Sequence, residues 1–187
     1  SPAHSGRQLD YSGKVNSFKS YCGGLVAPES DDNPWHYKFS WNPKNVIVAG
    51  KGGAQYLKAG KNVEIPYEEM FNENKKINVH GIGQLAYYPN RNSLSYLDIY
   101  ELPKTKTFMR ATLRHPNFCK GWNALIHLGL TDEADNITTT KTLAQLLAAK
   151  TNYDNNGTLK EHVANFLHLD AKDHVIKMID WLNFFRE

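Results

Sequence analysis

The sequence predicts an α+β fold: a mixed or antiparallel sheet followed by a helical C-terminal lobe. Three observations lead there. Short segments with period-two alternation, divided by Gly and Pro, occupy the chain up to about residue 116. Amphipathic patterns of helical period occupy the remainder. Strands grouped ahead of helices are the order of an α+β domain, in contrast to the alternating order of a doubly wound parallel sheet. Residues 1–14 read as a loose polar lead. Residues 15–187 read as one domain, with a sheet part at about 15–116 and a helical part at about 117–187.

The elements follow in chain order. Val15 to Tyr21 alternates as V-N-S-F-K-S-Y and ends at Gly23-Gly24, a strand and turn. Asp31-Asp32-Asn33-Pro34 is a turn. Asn42, an N-cap residue, and Pro43, suited to the first helical position, open a short helix through Val46, Ile47 and Ala49. Lys75 to His80, Leu85 to Tyr88, Ser93 to Tyr100 and Lys104 to Arg114 are predicted strands, punctuated by Gly81, Gly83, Pro89-Asn90 and Pro103. Four helices are predicted at Asn117–Gly129, Thr138–Lys150, Thr158–Leu169 and Asp170–Arg186. Thr158 and Glu161 form a capping box, and Asp170 with Asp173 suits the start of the last helix. In that helix Val175, Ile176, Met178, Ile179, Trp181, Leu182, Phe184 and Phe185 cover most of the circumference, with no Gly, Asn or Pro after it to stop it. It therefore needs covering on more than one side, and the expectation is that a packing partner outside this chain normally covers it.

Composition narrows the function. Of the 187 residues 41% are hydrophobic and 12% aromatic, which is too apolar for a disordered tail. Lys and Arg exceed Asp and Glu by 22 to 19, for a net charge of +3, too small an excess for a protein built to coat nucleic acid. The longest apolar runs are a handful of residues, short of a membrane span. Cys22 and Cys119 cannot form a disulfide framework and read as reduced thiols of a cytoplasmic protein. The acceptor triplets at Asn136 and Asn156 are short enough to arise by chance.

The informative stretch is Thr105 to Arg114. On a strand, Met109, Ala111 and Leu113 face a core, while Phe108, Arg110, Thr112 and Arg114 face the other way. Two guanidiniums and a hydroxyl on one face suit carboxylates, because the arginine fork matches them in bidentate fashion. Arg91, in the turn after another strand, is placed to join them. The plainer reading is a sheet face that meets solvent. Gly50-Lys51-Gly52-Gly53 mimics a phosphate loop but completes neither glycine-rich motif; it reads as a helix end and loop. The histidines lack zinc-site spacing, so no metal site is expected. His115, next to Arg114, is a candidate proton carrier or donor. No nucleophile framed by a catalytic base is evident.

Several motifs together carry a resemblance. They are Ser17-Phe-Lys-Ser-Tyr-Cys-Gly-Gly-Leu25, Ala27-Pro-Glu29, Asp32-Asn-Pro34, Tyr37-Lys-Phe-Ser-Trp41, Tyr56-Leu57, Tyr88-Pro-Asn-Arg91 and Arg110-Ala-Thr-Leu-Arg114. With weaker likeness through to Trp181-Leu182, they resemble the substrate domain of glutamate-forming saccharopine dehydrogenases. The resemblance implies an inserted substrate-binding and dimerisation domain, in an enzyme whose separate Rossmann domain binds NADP (or NAD). Such enzymes interconvert saccharopine with glutamate and 2-aminoadipate 6-semialdehyde in lysine metabolism, and are homodimers. It implies substrate binding by Arg91 with neighbouring Asn90, and around Arg114 with His115 and Pro116. The strand-face argument adds Arg110 and Thr112.

There are departures from the family's pattern. The nucleotide fingerprint is absent, so this chain alone is expected to transfer no hydride and to hold no cofactor. Residues 1–13 do not resemble the family's leading helix, and His115 stands where an aromatic such as Tyr is expected. A carboxynorspermidine dehydrogenase is the nearest alternative within the enzyme class, and a non-catalytic binding or dimerisation module is the alternative outside it.

Overall fold

The computed structural model describes residues 14–40, 42, 46–47, 51–72, 75–132 and 142–186. Its centre is strand β6 (Thr107–Arg114), the longest in the sheet. Along one edge β6 pairs in parallel with β1 (Ser17–Cys22), from Ser17 opposite Thr107 to Cys22 opposite Thr112. Along its other edge it meets two antiparallel neighbours in succession. These are β2 (Ala54–Lys58) at Phe108 and β5 (Gly83–Pro89) from Ala111 to Arg114. Hairpin partners β3 (Lys61–Ile65) and β4 (Lys75–Val79) complete a mixed sheet, ordered β3-β2-β6-β5-β4 with β1 on β6.

The helical lobe follows as α1 (Pro116–His127), α2 (Leu143–Lys150), α3 (Leu159–Phe166) and α4 (His174–Trp181). The α+β class and the sheet-then-helix order are as the sequence predicts. Helix α1 starts at Pro116, whose missing N–H costs nothing at a first-turn position. Thr142 caps α2, accepting from the Gln145 backbone; positions 138–141 of the predicted helix lie outside the described residues. The Thr158–Glu161 capping box is present with both reciprocal bonds. Asp170 does not open α4. It caps the preceding turn through the Lys172 N–H, and Asp173 is the N-cap.

Two further expectations are corrected. Ser93 to Tyr100 is not a strand but a 3-10 turn (Leu94–Tyr96) with further turns beyond it. The Asn92 side chain accepts from the backbone N–H groups of Leu94 and Ser95, at 2.9 and 3.3 Å, and this local closure beats the alternating pattern. Helix α4 does carry a stop signal. Asn183 sits at φ 65°, the left-handed conformation that ends helices. Its apolar circumference is met largely within this chain: Met178 packs into the cluster of Trp35, Phe118 and Trp122, and Ile176 and Ile179 into that of Leu147 and Val163. Trp181 alone of the four bulky residues after Ile179 is more than half exposed, at 52%. Val46 and Ile47 are helical, while Pro43 and Ala49 lie outside the described residues.

Hairpin β2–β3 carries no recognisable turn signal in the sequence. Its two-residue turn, Ala59-Gly60, has φ values of 50° and 79°, the doubly positive pattern of a type I′ turn. Such turns favour Asn-Gly because a Cβ is disfavoured there. Alanine is tolerated at the first position because tertiary bonds hold it. The Ala59 N–H donates to Thr107 Oγ1 at 3.1 Å, and the Gly60 N–H to the Lys106 carbonyl at 2.7 Å.

Both sheet faces are covered. Met109 and Ala111 pack with Tyr56 on one face, as expected, and Leu113 is half-buried. On the other face Phe108 is fully buried against Phe18 and Tyr100. Further along that face, α1 and the segment around Tyr67, Met70 and Phe71 build the main core. Between α1 and α4 the ring of Trp35 is wedged, its indole N–H donating to the Met178 carbonyl at 3.0 Å. Gly121 makes room for it: a Cβ there would stand 2.6 Å from the Trp35 ring and 2.5 Å from Met178 Cε.

Two stability outcomes follow from this packing. Ala59→Gly relieves the left-handed strain and raises the unfolding free energy by about 1 kcal/mol in a denaturant titration. Gly121→Ala overfills the Trp35 wedge and lowers it by about 1–3 kcal/mol in the same assay.

Candidate anion-binding cavity

Arg110, Thr112 and Arg114 share their face of β6 with Ala86 and Tyr88, which stand opposite Arg114 and Thr112 on β5. That face does not simply meet solvent. Between the turn after β5, the 67–71 segment and α1 lies a cavity of ≈ 540 Å³. Asn90, Arg91, Arg110, Thr112 and Arg114 all line it, so the fold brings together five of the seven residues singled out in the sequence. Its remaining walls are largely aromatic: Tyr67, Phe71, Tyr88, Tyr96, Phe118 and Trp122. No Asp or Glu is among the described residues of its lining.

The Pro89–Ser93 turn is fixed by its neighbours on both sides. The Asn90 N–H donates to the Arg110 carbonyl at 2.8 Å, and the Gln55 N–H to the Arg91 carbonyl at 2.9 Å. Ser93, fully buried, donates its N–H to the Gln55 carbonyl, and its Oγ accepts from the Arg110 N–H at 3.0 Å. This network holds Arg91 at φ 46°, a left-handed backbone that costs a non-glycine residue about 1–3 kcal/mol. Strain of that kind persists only where surrounding bonds over-determine it.

The arginines on β6 are held differently. The Arg110 guanidinium lies 3.7 Å from the centre of the Tyr96 ring, a cation–π stack. Arg114 donates from Nη1 to two backbone carbonyls, Gly24 at 3.1 Å and Leu113 at 3.0 Å. Its guanidinium carbon lies 5.3 Å from the ring centre of Tyr37 and 5.6 Å from that of Phe118. Its Nε is buried and has no hydrogen-bond partner. A buried N–H of a charged group without an acceptor is costly unless an external group completes it.

Neighbouring acids are kept neutral. Burial pushes the Tyr88 hydroxyl up to about 12, against the opposing pull of Arg114, with Cys119 and Tyr37 adding to the rise and a Thr112 hydrogen bond opposing it. Burial pushes the Cys119 thiol to about 12 as well, with Arg114 again opposing. Neither is a thiolate or phenolate near neutral pH. The cavity is thus an aromatic cleft with guanidinium donors and, among the described residues of its lining, no carboxylate, chemically suited to an organic anion.

His115 and Pro116 stand apart from it. Pro116 is the first residue of α1, and neither residue lines the cavity. His115 Nδ1 accepts from the Asn117 backbone N–H at 3.2 Å, making it the N-cap of α1. Its ring centre lies 3.7 Å from that of His36, whose Nδ1 is 2.6 Å from the Asp31 carboxylate. Residues that sequence reasoning missed are Tyr96, Tyr88, Phe118 and Trp122, which supply the ring surfaces, and Gly24, which supplies a carbonyl. The Gly50–Gly53 stretch is followed by strand β2 rather than a helix, which removes the phosphate-loop geometry; Gly50 itself lies outside the described residues. Among the described residues no group of His, Cys, Asp or Glu has the arrangement to hold a metal ion. No helix among them is long and apolar enough to cross a membrane.

Fold and cavity define a class: an α+β domain whose sheet face carries an arginine-rich pocket roofed by helices. The chain belongs to the saccharopine dehydrogenase C-terminal domain family, whose profile matches residues 4–176. It is 32% identical over 182 residues to saccharopine dehydrogenase [NADP(+), L-glutamate-forming] of Saccharomyces cerevisiae, covering 94% of this chain and 41% of that protein. It is 41% identical over 117 residues to the mitochondrial alpha-aminoadipic semialdehyde synthase of Mus musculus, covering 62% of this chain and 13% of that protein. The solved structure of apo saccharopine dehydrogenase (L-Glu forming) from Saccharomyces cerevisiae superposes with a TM-score of 0.76, at 31% identity over 92% of this chain and 40% of that one. The chain therefore spans about two fifths of the yeast relative's length.

The cap position of His115 gives a pH dependence of stability. Burial foremost, then His36, pushes its pKa below the ordinary 6.5; Asp31 pulls it up and His174 down. The unfolded chain therefore takes up a proton at higher pH than the folded one, and stability falls as pH drops below about 6.5. His115→Asn, which also caps helices, flattens this dependence when unfolding free energies are measured between pH 7.5 and 5.

Proposed function

We propose that this chain is the substrate-binding domain of an NADP-dependent saccharopine dehydrogenase, and that its cavity binds saccharopine through the substrate's carboxylates. One observation carries the reading: three arginines line the pocket and, among the described residues of its lining, no carboxylate does. Saccharopine bears three carboxylates. A substrate with fewer carboxylates and more cationic amines, such as carboxynorspermidine, would call for an acidic wall residue. In this reading Arg91, Arg110 and Arg114 are the carboxylate partners, with Asn90 and Thr112 as neutral hydrogen-bonding groups. His115 and Pro116 act from outside the pocket by setting the start of α1.

The division of labour is physical. Fixing the substrate by its carboxylates holds the amine-bearing carbon in one orientation, which converts binding into rate. Hydride chemistry belongs to NADP (or NAD) on a nucleotide-binding domain that is not part of these residues, so the chain alone is inactive. The products are L-glutamate and 2-aminoadipate 6-semialdehyde, in lysine metabolism. In this reading the enzyme works as a homodimer in the cytoplasm.

The test follows nicotinamide absorbance in an enzyme carrying this chain together with its nucleotide-binding domain. Reduction of NADP with saccharopine, and not with carboxynorspermidine, is the expected outcome. Turnover of carboxynorspermidine alone overturns the substrate, and silence with both leaves a binding module. Arg114→Ala in that enzyme removes a charge-assisted contact worth about 1.5–3 kcal/mol, raising KM about 10- to 100-fold with a smaller change in kcat. A KM near that of the unsubstituted enzyme overturns the role of Arg114.

A further inference from the structure

The Cys22-Gly23-Gly24 segment at the end of β1 does not line the cavity, but it meets Arg114, which does. Gly23 packs against the end of β6 so closely that a Cβ would lie 2.2 Å from the Leu113 carbonyl oxygen and 2.9 Å from its carbon. That same oxygen accepts from Arg114 Nη1, and the next residue along the turn, Gly24, supplies the other acceptor. Both acceptors of Nη1 are therefore set by one close backbone approach. Gly24 itself has open space: nothing lies within 4 Å of where its Cβ would be.

The consequence for the guanidinium is directional. With Nη1 committed to two carbonyls and Nε buried without a partner, Nη2 is the donor of Arg114 that remains for a group in the cavity this residue lines. A guanidinium N–H held in one place gives a charge-assisted hydrogen bond to a carboxylate oxygen. We infer that Gly23 is a positioning residue: by admitting the backbone that follows β1 to the end of β6, it clamps Nη1 and leaves Nη2 of Arg114 for the ligand's carboxylate. This rests on the reading of the cavity as a carboxylate pocket, and adds to it the residue that orients its arginine.

The experiment titrates saccharopine into the 187-residue chain by calorimetry, for the unsubstituted protein, Gly23→Ala, Gly24→Ala, Arg114→Lys and the Gly23→Ala/Arg114→Lys double variant. Gly23→Ala is expected to weaken binding about tenfold, Gly24→Ala to leave it unchanged, and Gly23→Ala to add nothing in the Arg114→Lys background, since both act through one group. Equal losses from Gly23→Ala with and without Arg114 reveal a merely structural role and overturn the inference. Undiminished binding by Arg114→Lys overturns the reading of Arg114 as a carboxylate partner, whereas a loss there with none in Gly23→Ala overturns the role of Gly23 alone. A measurement on the unsubstituted chain stands if Gly23→Ala does not fold. Clamped Nη1 gives Arg114 separate, slowly exchanging Nη signals by NMR before ligand is added. Averaged signals overturn the clamp.

Discussion

Everything at this site hangs from the way β6 is paired. A strand has two edges, and β6 gives one to β1 and divides the other between β2 at Phe108 and β5 from Ala111 onward. With both edges satisfied, its eight residues hold fixed alternation, and Arg110, Thr112 and Arg114 stand on one side at a spacing the backbone sets. The same division brings the turn after β5 with Arg91 to the pocket, and sets the segment after β1, with the Gly24 carbonyl, against Arg114. A slip of one residue in any of these ladders would turn the guanidiniums to the opposite face.

The cavity concentrates positive charge among aromatic side chains, an arrangement that needs compensation. Among the described residues of its lining no acidic side chain supplies it. Arg110 lies on the Tyr96 ring, and Arg114 on two carbonyls and near two rings, so dipoles and quadrupoles do what carboxylates do elsewhere. Burial keeps Tyr88 and Cys119 neutral even beside Arg114. Among the described residues of the lining the charged side chains are all arginines, an electrostatic setting that favours an anion.

Much of this was legible in the sequence, for identifiable reasons. The alternation in T-F-M-R-A-T-L-R fixed the face of Arg110, Thr112 and Arg114, and the capping residues Thr158 and Glu161 placed α3, because both signals are local. What was not legible is held by long-range bonds. The turn at Ala59-Gly60 lacks an Asn-Gly signature and depends on Lys106 and Thr107, nearly fifty residues away. Ser93 to Tyr100 has a strand-like pattern overruled by one asparagine side chain. His115 adjoins Arg114 in sequence, but the chain turns from strand to helix between them, which carries the imidazole to a cap and away from the pocket. The aromatic walls come from four separate segments, so no spacing in the sequence announces them.

The two cysteines differ in a way that makes the molecule easy to report on. Cys119 is buried with its thiol pushed up to about 12, so it is unreactive toward electrophiles at neutral pH. Cys22 is exposed, and it sits one residue before Gly23 and opposite Thr112 in the β1–β6 register. A maleimide fluorophore would therefore attach at a single position in this chain when folded, without engineering, at the end of the strand whose following residues brace Arg114. The fold carries its own optical handle beside the pocket.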